Sequence, residues 1–112
     1  MEKMFYRVSN IHTNQGLWYD HYGKFTGLIH SKFNFCTNST LEMPYDKNVL
    51  GFLSTTGSLD ALYTWFNEED IRKLQEFGYF IHEYKAENYR FYNNHWIINQ
   101  DSSILTKRIQ LL

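Results

Sequence analysis

Apolar residues recur every three or four positions from Leu59 to Phe66, which is the spacing of one face of a helix. Ser58 stands directly before this stretch, and its hydroxyl can accept a hydrogen bond from an unpaired amide of the first turn. We therefore predict a helix over Leu59–Phe66, with Ser58 as its N-cap.

A second helix is predicted directly after the first, with Asn67 as its N-cap. Asp70 follows three positions later, where a capping box places an acidic side chain. Gly78 is a typical helix stop, so we expect the second helix to end there with its apolar stripe buried against a sheet. That stripe consists of Ile71, Leu74 and Phe77.

Alternating or continuous apolar runs predict the strands. These are Met4–Ser9, Val49–Thr55, Tyr79–Ala86, Tyr89–Tyr92 and His95–Asn99. Asn93 and Asn94 separate the last two as a two-residue hairpin turn, because asparagine tolerates left-handed backbone angles. Ile104–Leu112 is expected to be a last strand or a docked tail. Lys32–Lys47 has no periodicity, and we expect an irregular segment packed down by Phe33, Phe35 and Tyr45.

The order of strands, helices and strands favours an α+β fold over a doubly wound one. We predict an antiparallel or mixed sheet with the two short consecutive helices packed on one side. The 112 residues have the usual size of one domain and show no linker or repeat. Residues 1–112 are therefore expected to form a single compact domain.

Aromatic residues make up 19% of the chain, with nine Phe, nine Tyr and three Trp. A small core needs fewer rings than this, so some tyrosines are expected at the surface, where tyrosine is common in interfaces. The net charge of −1 argues against a general nucleic-acid binder, which needs a basic surface, and against an acidic mimic of nucleic acid. The sequence shows no signal peptide and no apolar run of membrane-spanning length, so we expect no membrane association. A cytoplasmic location is expected, in the host cell if a phage encodes the chain.

Several kinds of catalytic or binding site are not expected, because the residues that they need do not occur in the usual pattern. The five histidines have no pairing typical of a metal site, so none is expected to bind metal. Cys36 lies between aromatic residues and has the pattern of a small buried hydrophobic residue. No glycine-rich phosphate loop is present, which argues against a P-loop or Rossmann nucleotide site.

The region around the predicted hairpin is the richest in rings and is our predicted surface for a protein partner. We expect its anchors among Tyr, Trp and Arg, the residue types that dominate interface energetics. Stacking on nucleic-acid bases is the alternative for this region, but the chain lacks a wider basic surface. The predicted contact residues are Tyr84, Tyr89, Arg90, Tyr92 and Trp96.

Arg7 in a first strand and Ser54-Thr55-Thr56 at a strand end resemble two motifs of the ADP-ribosyltransferase superfamily, in its arginine–serine–glutamate version. The resemblance implies that Arg7 and Ser54 bind NAD and that a late carboxylate activates the ribose. The family's Glu-x-Glu or Gln-x-Glu motif is missing, and Gln100-Asp101 or Glu83 would have to replace it. In this alternative the site residues are Arg7, Ser54 and Gln100. The chain is also similar to small phage proteins at 6–8, 58–66 and 78–81.

Two functions follow as expectations. The first is a small protein of phage or mobile-element type, such as an anti-defence or anti-CRISPR factor, that binds a host protein and inhibits or redirects it without a cofactor. The second is an NAD-dependent enzyme of ADP-ribosyltransferase type, or a nucleotide-binding relic of that fold. The missing acidic motif, whose charge would stabilise a developing cation, favours the first. The sequence leaves the oligomeric state open.

Overall fold

Strands begin and end the chain, and two helices lie between them in the order that the pattern predicts. The computed structural model describes residues 1–20, 22–43 and 47–112. Two short 3-10 helices, Ser31–Phe33 and Lys47–Val49, lie in the irregular part. The strands are β1 (Lys3–Asn10), β2 (Phe52–Thr55), β3 (Tyr79–Ala86), β4 (Tyr89–Tyr92), β5 (His95–Asn99) and β6 (Ile104–Ile109), and the helices are α1 (Leu59–Trp65) and α2 (Glu68–Gln75).

The described strands form two antiparallel sheets of three strands each. The first sheet has the order β1-β3-β6 and the second has the order β2-β5-β4. An antiparallel bridge between Tyr6 and Thr56 joins them, with backbone hydrogen bonds of 2.9 and 2.8 Å. The predicted α+β class is confirmed. The Cα radius of gyration, 13.0 Å, is about that of one domain of this length.

The predicted helix caps are confirmed in detail. Ser58 Oγ accepts a hydrogen bond from the Ala61 backbone amide at 3.1 Å. Asn67 Oδ1 accepts from the Asp70 amide at 2.8 Å, and Asp70 Oδ2 accepts from the Asn67 amide at 3.4 Å, which completes the capping box. Gly78 has a φ of 86°, so a residue without a side chain suits the turn that follows α2.

The apolar stripe of α2 differs from the prediction at one position. Ile71 and Leu74 are fully buried in a cluster that also contains Val8 and Ile81 of the first sheet. Phe77 is 49% exposed, so its predicted burial is wrong. The helix ends at Gln75, and residue 77 lies in the following turn, where helical periodicity no longer sets the side-chain direction.

Two other segments differ at their boundaries. The predicted strand Val49–Thr55 begins only at Phe52, because Lys47–Val49 form a 3-10 turn and Gly51 has a φ of 82°. The predicted strand or tail at the C-terminus is both: β6 ends at Ile109, and the last residues dock on α2. There the Leu111 amide donates to Gln75 Oε1 at 2.7 Å.

The described residues between 17 and 43 form an irregular segment that packs onto the core, as predicted from residue 32 onward. Leu17, Trp18 and Phe33 are buried, whereas Phe35 is partly buried. Tyr45, for which packing onto the core was also predicted, lies outside the described residues. No helix of the described residues is long and apolar enough to cross a membrane.

A second, smaller core lies between the two sheets and positions the hairpin. Phe5 and Tyr84 of the first sheet pack there against Ile98 of the second, and all three are nearly fully buried. Asn93 and Asn94 have φ angles of 49° and 64°, which confirms the predicted hairpin turn between β4 and β5. One face of the second sheet is therefore partly covered by the first sheet.

Candidate functional site

The face of the second sheet that the first sheet does not cover forms one wall of a cavity of about 190 Å³. We call it the loop-side cavity. Because side chains alternate along strands, Ser54, Tyr92 and His95 share this face. Tyr19, Phe25 and Met43 of the irregular segment line the opposite side. Further lining residues are Val49, Leu50, Gly51, Phe52, Leu53, Asn93, Ile97 and Gln100.

A serine and a histidine are hydrogen-bonded to each other in the wall of this cavity. Ser54 Oγ lies 3.1 Å from His95 Nε2, and His95 Nδ1 lies 3.1 Å from the Asn93 carbonyl oxygen. A carbonyl oxygen can only accept, so Nδ1 carries the proton and Nε2 of the neutral ring accepts from the Ser54 hydroxyl. His95 is 9% exposed, and this burial lowers its pKa, although the hydrogen bond to Asn93 acts in the opposite direction.

The other face of the second sheet ends in an open groove of about 370 Å³. We call it the hairpin groove, because it lies between the end of the β4–β5 hairpin and helix α1. The hairpin contributes Phe91 and Trp96, and α1 contributes Ala61 and Trp65. The remaining lining residues are Thr55, Thr56, Gly57, Ser58, Thr64, Asn94 and His95.

A chain of aromatic contacts leads from the second core to this groove. Tyr89 and Trp96 each pack on Phe5, with ring centroids 5.1 and 6.1 Å apart. Phe91 packs on Trp96 at 5.2 Å but is 60% exposed. The Lys3 ammonium lies 5.4 Å from the Tyr89 ring and 5.6 Å from the Trp96 ring, a cation–π geometry. The buried core face thus continues into an exposed aromatic surface.

The structure does not bring the five predicted contact residues onto one surface. Tyr84 is 6% exposed and belongs to the smaller core, whereas the prediction assumed that it lies at the surface. Tyr89 and Trp96 are on the groove face. Arg90 and Tyr92 are on the cavity face, with the Arg90 guanidinium 4.5 Å from the centre of the Phe52 ring. Successive side chains along β4 point to opposite faces of the sheet. The prediction grouped the residues by sequence position and did not take this alternation into account.

The prediction omitted Phe91, the most exposed ring of the hairpin. A signal was present in the sequence, since Phe91 lies two positions after Tyr89 and so shares its face. Its position opposite Trp96 depends on the two-residue turn.

The residues of the NAD-binding alternative are only partly assembled. Ser54 and Gln100 both line the loop-side cavity. Arg7 is not among the lining residues, and the described lining contains no carboxylate. Glu83 lies elsewhere, bonded to the Tyr6 and Thr106 hydroxyls at 2.8 Å each.

Arg7 is a buried cation without its usual partners. It is 6% exposed, and neither its Nε nor its Nη1 has a hydrogen-bond partner among the residues that the structure describes. Its Nη2 would lie 3.2 Å from a Cβ added at Gly16, so the backbone just before Leu17 lies close to the guanidinium. Burial lowers the pKa of Arg7. An unpartnered buried donor costs stability, and this arginine therefore acts against folding.

The cysteine and the other histidines have local structural roles where they are described. Cys36 is buried, and burial raises the pKa of its thiol to about 12, which disfavours the reactive thiolate. His12 is exposed, and His30 Nδ1 accepts from the Lys32 amide at 3.1 Å. His21 lies outside the described residues. Within residues 1–20, 22–43 and 47–112, no three acidic, histidine or cysteine side chains lie together as a metal site would require.

Comparisons of the chain with protein-family models, with curated proteins and with solved structures find no match.

Proposed function

We propose that this protein acts by binding a second protein through the hairpin groove and the exposed ring of Phe91. The observation that carries the proposal is the 60% exposure of Phe91 beside a groove that Trp65 and Trp96 line. Large exposed rings are costly in water, and aromatic residues next to a concave surface are typical interface hot spots.

The groove supports a particular kind of contact. Its hairpin side is aromatic, and the exposed polar side chains of Ser58, Thr64 and Asn94 also line it. Such a mixture suits an apolar side chain of the partner with polar backbone beside it. Phe91 projects from the rim and would insert into a complementary pocket of the partner.

For a small protein of phage or mobile-element type, we infer that the partner is a host protein in the cytoplasm, which is inhibited or redirected by stoichiometric binding. Defence proteins are one such class of target. Two features support this inference: the exposed aromatic surface and the incomplete transferase motif. No cofactor is needed for this function.

Truncating Phe91 should weaken partner binding without unfolding the protein. Phe91→Ala is expected to cost about 1–3 kcal/mol of binding free energy, or roughly 5- to 150-fold in Kd. Gly57→Leu should also weaken binding, because a Cβ added there meets Trp96 at 3.4 Å, an ordinary contact, and the side chain then occupies the groove. The measurement is capture of proteins from host lysate on the immobilised protein, followed by titration of the captured protein.

Phe77→Ala is the matched control, because Phe77 is also a half-exposed phenylalanine but lies outside the groove lining. The proposal requires a protein that wild type and Phe77→Ala retain and that the two groove variants release. Equal retention by all four proteins would contradict it. A gain of ADP-ribose mass on the captured protein in the presence of NAD, lost in Ser54→Ala, would favour the transferase alternative instead.

A further inference from the structure

The described residues contain two hydrogen-bonded pairs of serine and histidine. In one pair the histidine donates the hydrogen bond, and in the other the serine donates it. In the first sheet, Ser9 Oγ lies 2.8 Å from His82 Nδ1, and Arg108 Nε donates to His82 Nε2 at 2.9 Å. Arginine has no acceptor, so the neutral ring must carry its proton on Nδ1 and donate to Ser9. His82 therefore cannot accept the Ser9 proton, and this pair is structural.

The Ser54–His95 pair has the arrangement that a nucleophile requires. The Asn93 carbonyl fixes the proton on Nδ1, which leaves the Nε2 lone pair directed at the Ser54 hydroxyl. Ser9 is fully buried, whereas Ser54 is partly exposed in the wall of the loop-side cavity. A nucleophile, a base and an orienting group within hydrogen-bond reach, next to a cavity, define a site for nucleophilic catalysis.

We propose that Ser54 is a nucleophile toward small esters, with His95 as its general base and the loop-side cavity as the site for the acyl group. This activity is distinct from the proposed partner binding, because Ser54 lines only the cavity, although the His95 ring also packs on Trp65 of the groove with centroids 5.8 Å apart. Among the described lining residues, His95 alone is common to both.

The reaction has two steps. Ser54 Oγ attacks the carbonyl carbon of the ester while its proton passes to His95 Nε2. The bond from the carbonyl carbon to the alcohol oxygen then breaks, and the alcohol leaves with the proton from His95. In the second step, water gives a proton to His95 Nε2 while its oxygen attacks the carbonyl carbon of the acyl-serine. The bond from that carbon to Ser54 Oγ then breaks, His95 returns the proton to Oγ, and the carboxylic acid leaves. No oxidant, reductant or metal takes part.

The imidazolium formed in this cycle is stabilised by a neutral carbonyl rather than by a carboxylate. Asn93 O accepts the Nδ1 proton and orients the ring, but it supplies no negative charge. The described lining of the cavity contains no charged side chain. We therefore expect slower chemistry than with a serine–histidine–aspartate triad, and a preference for activated esters.

The size and lining of the cavity limit the acyl group. Its volume, about 190 Å³, slightly exceeds that of an engineered cavity of about 150 Å³ that binds benzene. Phe25, Met43 and Leu50 provide apolar walls. Uncharged short aliphatic or benzoyl-sized acyl groups fit this lining, whereas a charged acyl group would find no charged partner among the described lining residues.

The test is covalent labelling by a fluorophosphonate, an electrophile that reacts with nucleophilic serines. Intact-mass measurement of the wild-type protein should show one adduct, and peptide mapping should place it on Ser54. The adduct should be absent from Ser54→Ala and unchanged in Ser31→Ala, a variant of an exposed serine. His95→Gln should slow labelling about 100-fold, the usual contribution of a general base.

Hydrolysis of p-nitrophenyl acetate should follow the same order among the variants. Because His95 is buried, circular dichroism must show that His95→Gln is folded before its rate is used. The wild-type result does not depend on any variant. No labelling of Ser54, labelling spread over several serines, or equal rates in wild type and folded His95→Gln would each overturn the proposal.

Discussion

Replacing Leu74 with alanine is expected to lower the free energy of unfolding by about 2–5 kcal/mol. Leu74 is fully buried where α2 packs on the first sheet, in the same cluster as Ile71 and Ile81. Removing its isopropyl group leaves a cavity that a rigid helix–sheet contact cannot close. Urea unfolding of wild type and variant measures the difference.

Phe77→Ala is the comparison for this experiment. Phenylalanine is the larger side chain, but Phe77 is 49% exposed. Its ring stacks on the partly buried Phe35 and packs edge-on against the buried Phe33, with centroids 6.1 and 5.6 Å apart. We expect Phe77→Ala to cost less than Leu74→Ala. A larger loss of unfolding free energy in Phe77→Ala than in Leu74→Ala would mean that Phe77 is buried, as the sequence alone predicted.

Acidification is expected to destabilise the protein before its carboxylates titrate. Burial lowers the pKa of His82 to about 4, and the charges of Arg108 and Arg7 on the same face of the sheet add to this effect. Because the unfolded histidine binds its proton more readily, stability is complete above the ordinary pKa of about 6.5 and is lost as the pH falls from there toward 4. The loss between pH 7 and pH 5 should be about 2 kcal/mol.

Urea unfolding as a function of pH measures this loss. His82→Gln should be less stable at pH 7, because Ser9 and Arg108 lose their partner, but its stability should fall less toward pH 5. Some pH dependence will remain, because the pKa of His95 is also lowered by burial. His12→Gln, at an exposed histidine, should keep the wild-type slope. An unchanged slope in His82→Gln would contradict this assignment.

Local chemistry made the helices and the hairpin predictable. The capping and turn-forming effects of Asn67, Asp70 and Gly78 involve only residues close to them in the sequence. The same holds for the two asparagines of the hairpin turn. The strand boundary at Phe52 also has a local cause, the positive φ of Gly51. It was not predicted, because the run of apolar residues through Gly51 looked continuous. Caps and turns are encoded locally, whereas the pairing of strands is not.

The candidate sites depend on contacts between distant parts of the chain. Ser54 and His95 are 41 residues apart, and they meet because β2 pairs with β5 in one particular register. Tyr84 is buried because β3 is the central strand of the first sheet and Phe5 lies opposite it. Neither register can be read from residue spacing, so the sequence predicted the right hairpin but placed its side chains on a single surface.

The second sheet therefore presents different chemistry on its two faces. The groove face carries Phe91 and Trp96, and its exposed rings support partner binding. The cavity face carries Ser54 and His95, and its proton arrangement supports nucleophilic chemistry. Variants of Phe91 and Ser54 separate the two proposals, because each residue lines only one of the two concave surfaces.

Site-specific photo-cross-linking tests the central proposal, partner binding at the groove, most directly. Phe91 is replaced by p-benzoylphenylalanine, which keeps an aromatic ring at the rim, and host cells that produce this protein are irradiated. The same replacement at Phe77 is the control, at a second half-exposed ring outside the groove. We expect a discrete cross-linked protein from position 91 that is absent from position 77 and weakened by Gly57→Leu. Identical products from both positions, or no cross-link at position 91, would contradict the proposal.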